Sequence, residues 1–146
     1  HYEVINYVQF LDQYIENGSL KVDDTLFGNT RITYHDPCYL GRGNDIYAEP
    51  RSILKKLTRD FVELERNKSF SYCCGAGGAQ MFKEAEEGKK EVFIERTEEV
   101  LRSRAGIVAT ACPFCMTMLT DGLKYKNSEE VKNLDIAELI VQVMDL

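Results

Sequence analysis

Short apolar runs alternate with amphipathic stretches along the chain, and that alternation is the first structural signal. Val4, Tyr7, Val8, Leu11 and Ile15 recur at helical spacing and predict a helix ending near Asn17-Gly18. A polar connection runs from Gly18 to Asn29, and Arg31-Ile32-Thr33-Tyr34 then reads as a strand ended by His35-Asp36-Pro37. Pro50 suits a helix N1 position and opens a helix expected to reach Thr58. Phe61-Val62-Glu63-Leu64 reads as a second strand, and Ser71 to Ala79 as a glycine-rich loop. Lys89 to Arg104 predicts a helix with Val92, Phe93, Arg96, Val100 and Leu101 along one side. Gly106 to Thr110 predicts a third strand, and Cys112 to Lys124 a helix with Pro113 in its first turn. Val131 to Leu134 predicts a fourth strand, and Ile136 to Met144 a closing helix.

Strands alternating with helices place the chain in the α/β class, with a small, mostly parallel four-stranded sheet flanked by helices. Ligands of open α/β sheets sit outside the carboxyl ends of the strands. Cys38 follows the first strand and Cys112 the third, so this topology would gather cysteines that are far apart in sequence.

A length of 146 residues points to one domain. Residues 1–30 supply a leading helix and connection, and residues 31–146 the core. The net charge of −6 and a pI near 5.0 argue against nucleic-acid binding, because phosphate neutralisation supplies most of that affinity. They argue equally against adsorption to anionic membranes. No apolar run approaches the roughly 18–20 residues of a membrane span. His1-Tyr2-Glu3-Val4 lacks a basic stretch followed by an apolar core, so no signal peptide is expected. The chain does not begin with Met, and the expectation is a processed start or a fragment of a longer protein.

Cysteine carries the chemistry. The five cysteines fall into three groups, Cys38, Cys73-Cys74 and Cys112/Cys115, in the pattern C-x34-C-C-x37-C-x2-C. An odd count is unlike a secreted disulfide scaffold. Adjacent cysteines also pair poorly, since consecutive Cα atoms lie about 3.8 Å apart, below the usual disulfide range of about 4.4–6.8 Å. The expectation is therefore a reducing, cytoplasmic compartment and a metal or redox site. Five converging thiolates would repel one another unless a cation sat among them, and iron and zinc are the common choices. Zinc normally takes four ligands, whereas five fit a multi-iron centre better. Cys112-Pro113-Phe114-Cys115 places two sulfurs one turn apart at a helix N-terminus, which supports thiolate. The loop Cys74-Gly75-Ala76-Gly77-Gly78 would let backbone approach a cluster and donate N–H groups to sulfur.

The cysteine pattern resembles the cysteine-rich domain called the CCG domain. So do Tyr34-His35-Asp36-Pro37-Cys38-Tyr39-Leu40-Gly41-Arg42, Cys73 to Gly78, Ala111-Cys112-Pro113-Phe114-Cys115-Met116 and Asp135-Ile136-Ala137-Glu138-Leu139. That family includes a subunit of heterodisulfide reductase. It also includes iron–sulfur subunits of glycolate oxidase, anaerobic glycerol-3-phosphate dehydrogenase and the lactate utilisation system. The resemblance implies a 4Fe-4S-type cluster on Cys38, Cys73, Cys74, Cys112 and Cys115. In the heterodisulfide reductase member the cluster is non-cubane and uses all five cysteines; other members hold an ordinary cluster or zinc. It implies electron transfer to or from a partner redox subunit, a flavoprotein or a ferredoxin-like protein. Members commonly carry two such domains in tandem, so a second copy is expected N-terminal to this one in the parent chain.

Plainer readings stand beside these. Cys73 and Cys74 could be buried structural thiols, and Cys112/Cys115 a thioredoxin-like dithiol that leaves the other three cysteines idle. His35 could ligate metal, donate to a cluster sulfur, or merely cap a strand. Arg42 and Arg51 could neutralise an anionic cluster, against a surface role that weighs more for Arg51. Asp36 is expected to form an Asx-type turn before Pro37. Gly77 and Gly78 could be a simple turn or a close approach to the cluster. Glu84 to Lys90 reads as a solvated stretch, and Met116 and Met118 as core packing. The non-redox alternative for the whole chain is a zinc-holding module that docks other subunits.

Overall fold

A fully buried β1 (Ile32–Tyr34) lies at the centre of the molecule because apolar side chains reach both of its faces. The structure is a computed structural model that describes residues 1–85 and 87–144. The elements are α1 (Tyr7–Glu16), β1, α2 (Gly41–Asn44), α3 (Ala48–Leu57), β2 (Phe61–Val62), α4 (Val92–Arg102), β3 (Ile107–Thr110), α5 (Pro113–Tyr125), β4 (Lys132–Asp135) and α6 (Ile136–Val143). Short 3₁₀ turns at Lys68–Phe70 and Gln80–Phe82 interrupt the long connection from β2 to α4. The four strands form one sheet in the order β2-β1-β3-β4, with every pairing parallel. The sheet is thus fully parallel, as the strand–helix alternation led one to expect.

Side-chain alternation assigns the two faces. Ile32 pairs with Ile107 and Tyr34 with Ala109, and all four pack with α1, α3 and α6 in the larger core. Val108 faces the other way, against Leu64, Val100, Leu119 and Leu123. Helices α4 and α5 close that second face. The strand order reverses between β1 and β3, which leaves a crevice beyond their carboxyl ends.

Local capping fixes the starts of α1 and α6. Helix α1 starts at Tyr7, not Val4, because Asn6 caps it and exchanges a reciprocal pair of hydrogen bonds with the Gln9 turn. Asp135 and Glu138 cap α6 in the same way. Helix α3 begins at Ala48, which puts Pro50 at the third helical position. Proline is tolerated there because the first N–H groups of a helix have no internal acceptor. Helix α4 starts at Val92, three residues later than the periodicity implied, and Val92 is partly exposed. Its buried face carries Ile94, Arg96, Thr97, Glu99 and Val100, so two charged residues occupy positions expected to be apolar or solvated. Helix α2 had no counterpart in the sequence pattern, being only four residues long. In the stretch from Glu84 to Lys90 the described residues are exposed as expected, and Glu86 lies outside the described residues. Among the described residues, no helix is long and apolar enough to cross a membrane.

Candidate metal centre

The site begins where β1 and β3 end. The His35 N–H donates to the Ala109 carbonyl at 2.9 Å, which extends the β1–β3 ladder by one residue and turns the imidazole into the crevice. Ala111 and Cys112 leave β3 at the same level, and Pro113 at the first position of α5 starts the helix without losing a bond. Cys74 and Cys115 are buried, Cys73 and Cys112 half-buried, and Cys38 exposed; none is in a disulfide. The ligand atoms of His35, Cys74 and Cys115 lie within 4.8 Å of one another.

The side chains lie close enough to set one another's acidity: Cys115 acts on both Cys112 and Cys74, and Cys74 acts also on Cys73 and His35. The Cys74 thiol is held well below the usual range, chiefly by its neighbours Cys115 and Cys73, with His35 and the Ala76 N–H adding to the effect against the opposition of burial. Cys73 and Cys115 are pushed upward by the same neighbours and by burial. Chiefly through the Cys115 side chain, helped by the N–H groups of Cys115 and Phe114 and opposed by burial, Cys112 comes down to about 6. The Gly75 N–H points at the Cys73 sulfur at 3.3 Å. The glycine loop therefore brings a backbone donor onto a cysteine sulfur.

Gly75 takes φ +92°, and a Cβ there would sit 3.2 Å from the Phe93 nitrogen, so the loop needs glycine to lie against α4. Gly77 and Gly78 face open space, and of the two only Gly78 has positive φ. Met118 is buried with Cys74 and Cys115, as packing rather than a ligand. Cys38, at the start of the turn into α2, influences Cys73 electrostatically but stands outside the buried set.

Two expectations are corrected. Asp36 makes no Asx turn: it is buried, accepts both terminal nitrogens of Arg51 at 2.8 Å, and takes the Lys68 N–H at 2.8 Å. Arg51 is correspondingly not a surface arginine; it is 6% exposed and also bridges Glu63 at 2.7 Å. A planar fork meeting two carboxylates explains why burial is tolerated. Arg42 donates to the Ser71 carbonyl at 2.6 Å and thereby ties α2 to the segment that carries Cys73 and Cys74.

Helix α4 supplies residues whose role the sequence did not disclose. Arg96 is fully buried and reaches His35 Nδ1 at 2.9 Å, the Arg66 carbonyl at 2.9 Å, Ser71 Oγ at 3.3 Å and Glu99 at 2.9 Å. Glu99 also accepts the Arg66 N–H at 2.5 Å, and the Arg66 guanidinium lies 3.9 Å over the Tyr72 ring. Ser71 and Tyr72 are thus fixed from three sides immediately before Cys73. The one available signal was Arg96 itself, a cation on an otherwise apolar stripe.

The sequence matches a known family and several named proteins. The profile of the family described as the cysteine-rich domain (CCG) matches residues 32–120. The chain is 41% identical over 142 residues to a protein named probable iron-sulfur-binding oxidoreductase FadF from Bacillus subtilis, covering 96% of this chain and 20% of that protein. It is 38% identical over 152 aligned positions to an EtfAB:quinone oxidoreductase from Syntrophomonas wolfei, covering 99% of this chain and 21% of the relative. It is 36% identical over 150 positions to a dihydromethanophenazine:CoB–CoM heterodisulfide reductase subunit from Methanosarcina barkeri, covering 99% and 35%. The chain therefore spans between a fifth and about a third of the length of these relatives.

Proposed function

Because the chain belongs to the cysteine-rich domain family, we propose that it is an iron–sulfur domain of an oxidoreductase, transferring electrons to or from a partner redox subunit. One observation carries the reading: Cys74, Cys112 and Cys115 pack together at the switch point of a parallel sheet, Cys73 adjoins them in sequence, and the Gly75 N–H is directed at the Cys73 sulfur. The fit is chemical as well as spatial. A 4Fe-4S cluster takes four thiolates, and the surroundings that push Cys74 and Cys112 toward thiolate favour metal-bound sulfur too. Once bound, the cluster supplies a one-electron couple. Cys74 and Cys115 would hold it from the buried side and Cys73 and Cys112 from the rim. Cys38 is the exposed fifth thiol on which a non-cubane centre would draw. The names of relatives support the same reading, since one is called iron-sulfur-binding and two others are oxidoreductases or their subunits.

The chain's own residues exclude water and set the site's polarity. Met118, Ala76 and Phe93 line the buried side, and the Gly75 and Ala76 amides offer donors that stabilise negative charge on sulfur. The coverage of relatives supports a place within a longer redox chain, and a second cysteine-rich domain N-terminal to this one is part of the proposal. A flavoprotein or ferredoxin-like subunit is the proposed partner, and the reduced thiols fit a cytoplasmic setting.

The exposure of Cys38 favours one competing reading, a zinc-binding structural module, because the four remaining sulfurs are the number zinc takes. Anaerobic reconstitution with iron and sulfide separates the two. About four irons and four labile sulfides per chain, with a paramagnetic state on dithionite reduction, is the expected result. A colourless protein that holds one zinc and takes up no iron refutes the cluster reading.

A further inference from the structure

We infer that Arg96 is a positioning residue that fixes His35 as a hydrogen-bond donor to the Cys74 sulfur, so that His35 tunes the centre and does not ligate it. The inference rests on the cluster reading only for its effect on potential. Position and burial alone would nominate His35 as a ligand, since its ring nitrogen lies within 4.8 Å of both Cys74 and Cys115 sulfurs. The Arg96 contact decides otherwise. A guanidinium can only donate, so the 2.9 Å bond from Arg96 Nε makes His35 Nδ1 an acceptor. A neutral imidazole that accepts at Nδ1 carries its proton at Nε2. That N–H is the group left to meet Cys74, whose sulfur lies within 4.8 Å of a ring nitrogen. A nitrogen bearing a proton has no lone pair for a metal.

Arg96 has no freedom to release the ring. It is 0% exposed, and its remaining nitrogens are engaged by the Arg66 carbonyl, Ser71 Oγ and Glu99. Glu99 is buried beside it, so the pair is nearly neutral and its effect is orientation more than charge. One helical side chain therefore sets both the tautomer of His35 and the position of Ser71, three residues before Cys74. A hydrogen bond to a cluster sulfur stabilises the reduced, more negative state. Its loss should lower the reduction potential while leaving the metal in place.

The test uses nitrogen NMR on the metal-free, reduced chain and redox titration on the iron-reconstituted chain. The wild-type spectrum should show His35 locked as the Nε2–H tautomer, and Arg96→Lys should abolish that lock. His35→Leu should keep the full iron and sulfide count but shift the reduction equilibrium about tenfold toward the oxidised form, about 59 mV for one electron. His35→Gln, which can accept from Arg96 and donate onward, should restore most of that shift. An Nδ1–H tautomer in the wild type overturns the inference. So does iron loss in His35→Leu as deep as in Cys74→Ser, which would make His35 a ligand. If Arg96→Lys fails to fold, the wild-type spectrum and the His35 pair still decide. If the wild type takes up no iron, the cluster reading has failed, and the tautomer is judged on the nitrogen spectrum alone.

Discussion

Gly122 sits in α5 where α4 crosses it, and replacing it with alanine tests how closely the two helices meet beneath the cysteine site. A Cβ at residue 122 would overlap Thr97 Oγ1 outright and lie 3.0 Å from Thr97 Cβ and 3.3 Å from Phe93 Cδ2. Thr97 cannot simply turn away, because it is fully buried and its hydroxyl donates to the Phe93 carbonyl at 2.8 Å. The helices must separate or the hydroxyl must lose its acceptor. Overpacking of this kind costs about 1–3 kcal/mol, and a displaced buried hydroxyl adds about 1–3 kcal/mol. The higher helix propensity of alanine returns about 1 kcal/mol. The expected net loss for Gly122→Ala is about 2–3 kcal/mol, a fall of roughly 1 M or more in the urea midpoint. Thr97→Ala removes the offending oxygen, so the double variant should recover at least about 1 kcal/mol relative to additivity. Phe93 also lines the cysteine pocket, so the single variant should loosen metal retention in parallel. A neutral or stabilising Gly122→Ala, or strict additivity in the cycle, would refute the close approach of α4 and α5.

Three further outcomes are expected. Arg51→Leu strands the Asp36 carboxylate, 2% exposed, without its cation, and urea denaturation should show a loss of about 3–5 kcal/mol; a loss under 1 kcal/mol would mean that the pair is solvated. Burial pushes the Glu99 carboxyl up, but the Arg66 N–H and the Arg96 charge outweigh it and hold Glu99 below the ordinary range. Its contribution to stability is therefore complete above the unfolded carboxyl pKa of about 4.3 and is lost as pH falls through the lower folded value. Stability measured from pH 6 to pH 2 should fall less steeply in Glu99→Gln; an unchanged slope would remove Glu99 from the acid transition. Finally, Cys38→Ser should retain metal stoichiometry while Cys74→Ser and Cys115→Ser lose it, as counted after reconstitution; equal losses would make the exposed Cys38 an obligate ligand.

The sequence disclosed the fold to the extent that neighbouring residues determine it. Each strand of the sheet lies within a predicted strand or one residue beyond it, and the central β1 and β3 were the plainest because a buried parallel strand needs a local run of apolar or β-branched residues. The start of α1 moved because the Asn6 cap outranked periodicity, whereas α4 starts late without a side-chain cap. The cysteines were legible because sulfur chemistry has few alternatives once a C-x-x-C joins an adjacent pair. The polar frame behind them was not. Arg51 finds Asp36 across 15 residues and Arg96 finds His35 across 61, and no local pattern encodes either pairing. Read singly, Arg51 resembled a surface arginine and Asp36 a turn former, since both types are usually solvated. What overrides that expectation is a shared physical demand. The Asp36 side chain takes the Lys68 N–H, Arg42 takes the Ser71 carbonyl, and Arg96 takes Ser71 Oγ and His35. Each contact pins the loop between Lys68 and Cys74 to the end of β1 or its neighbours. A loop that delivers two adjacent sulfurs to one point cannot be held by its own backbone pairing, because strand pairing would turn successive side chains to opposite faces. Cations drawn from three other helices hold it instead, Arg51 and Arg96 buried and Arg42 exposed, and this is why charged Arg96 and Glu99 occupy the buried face of α4.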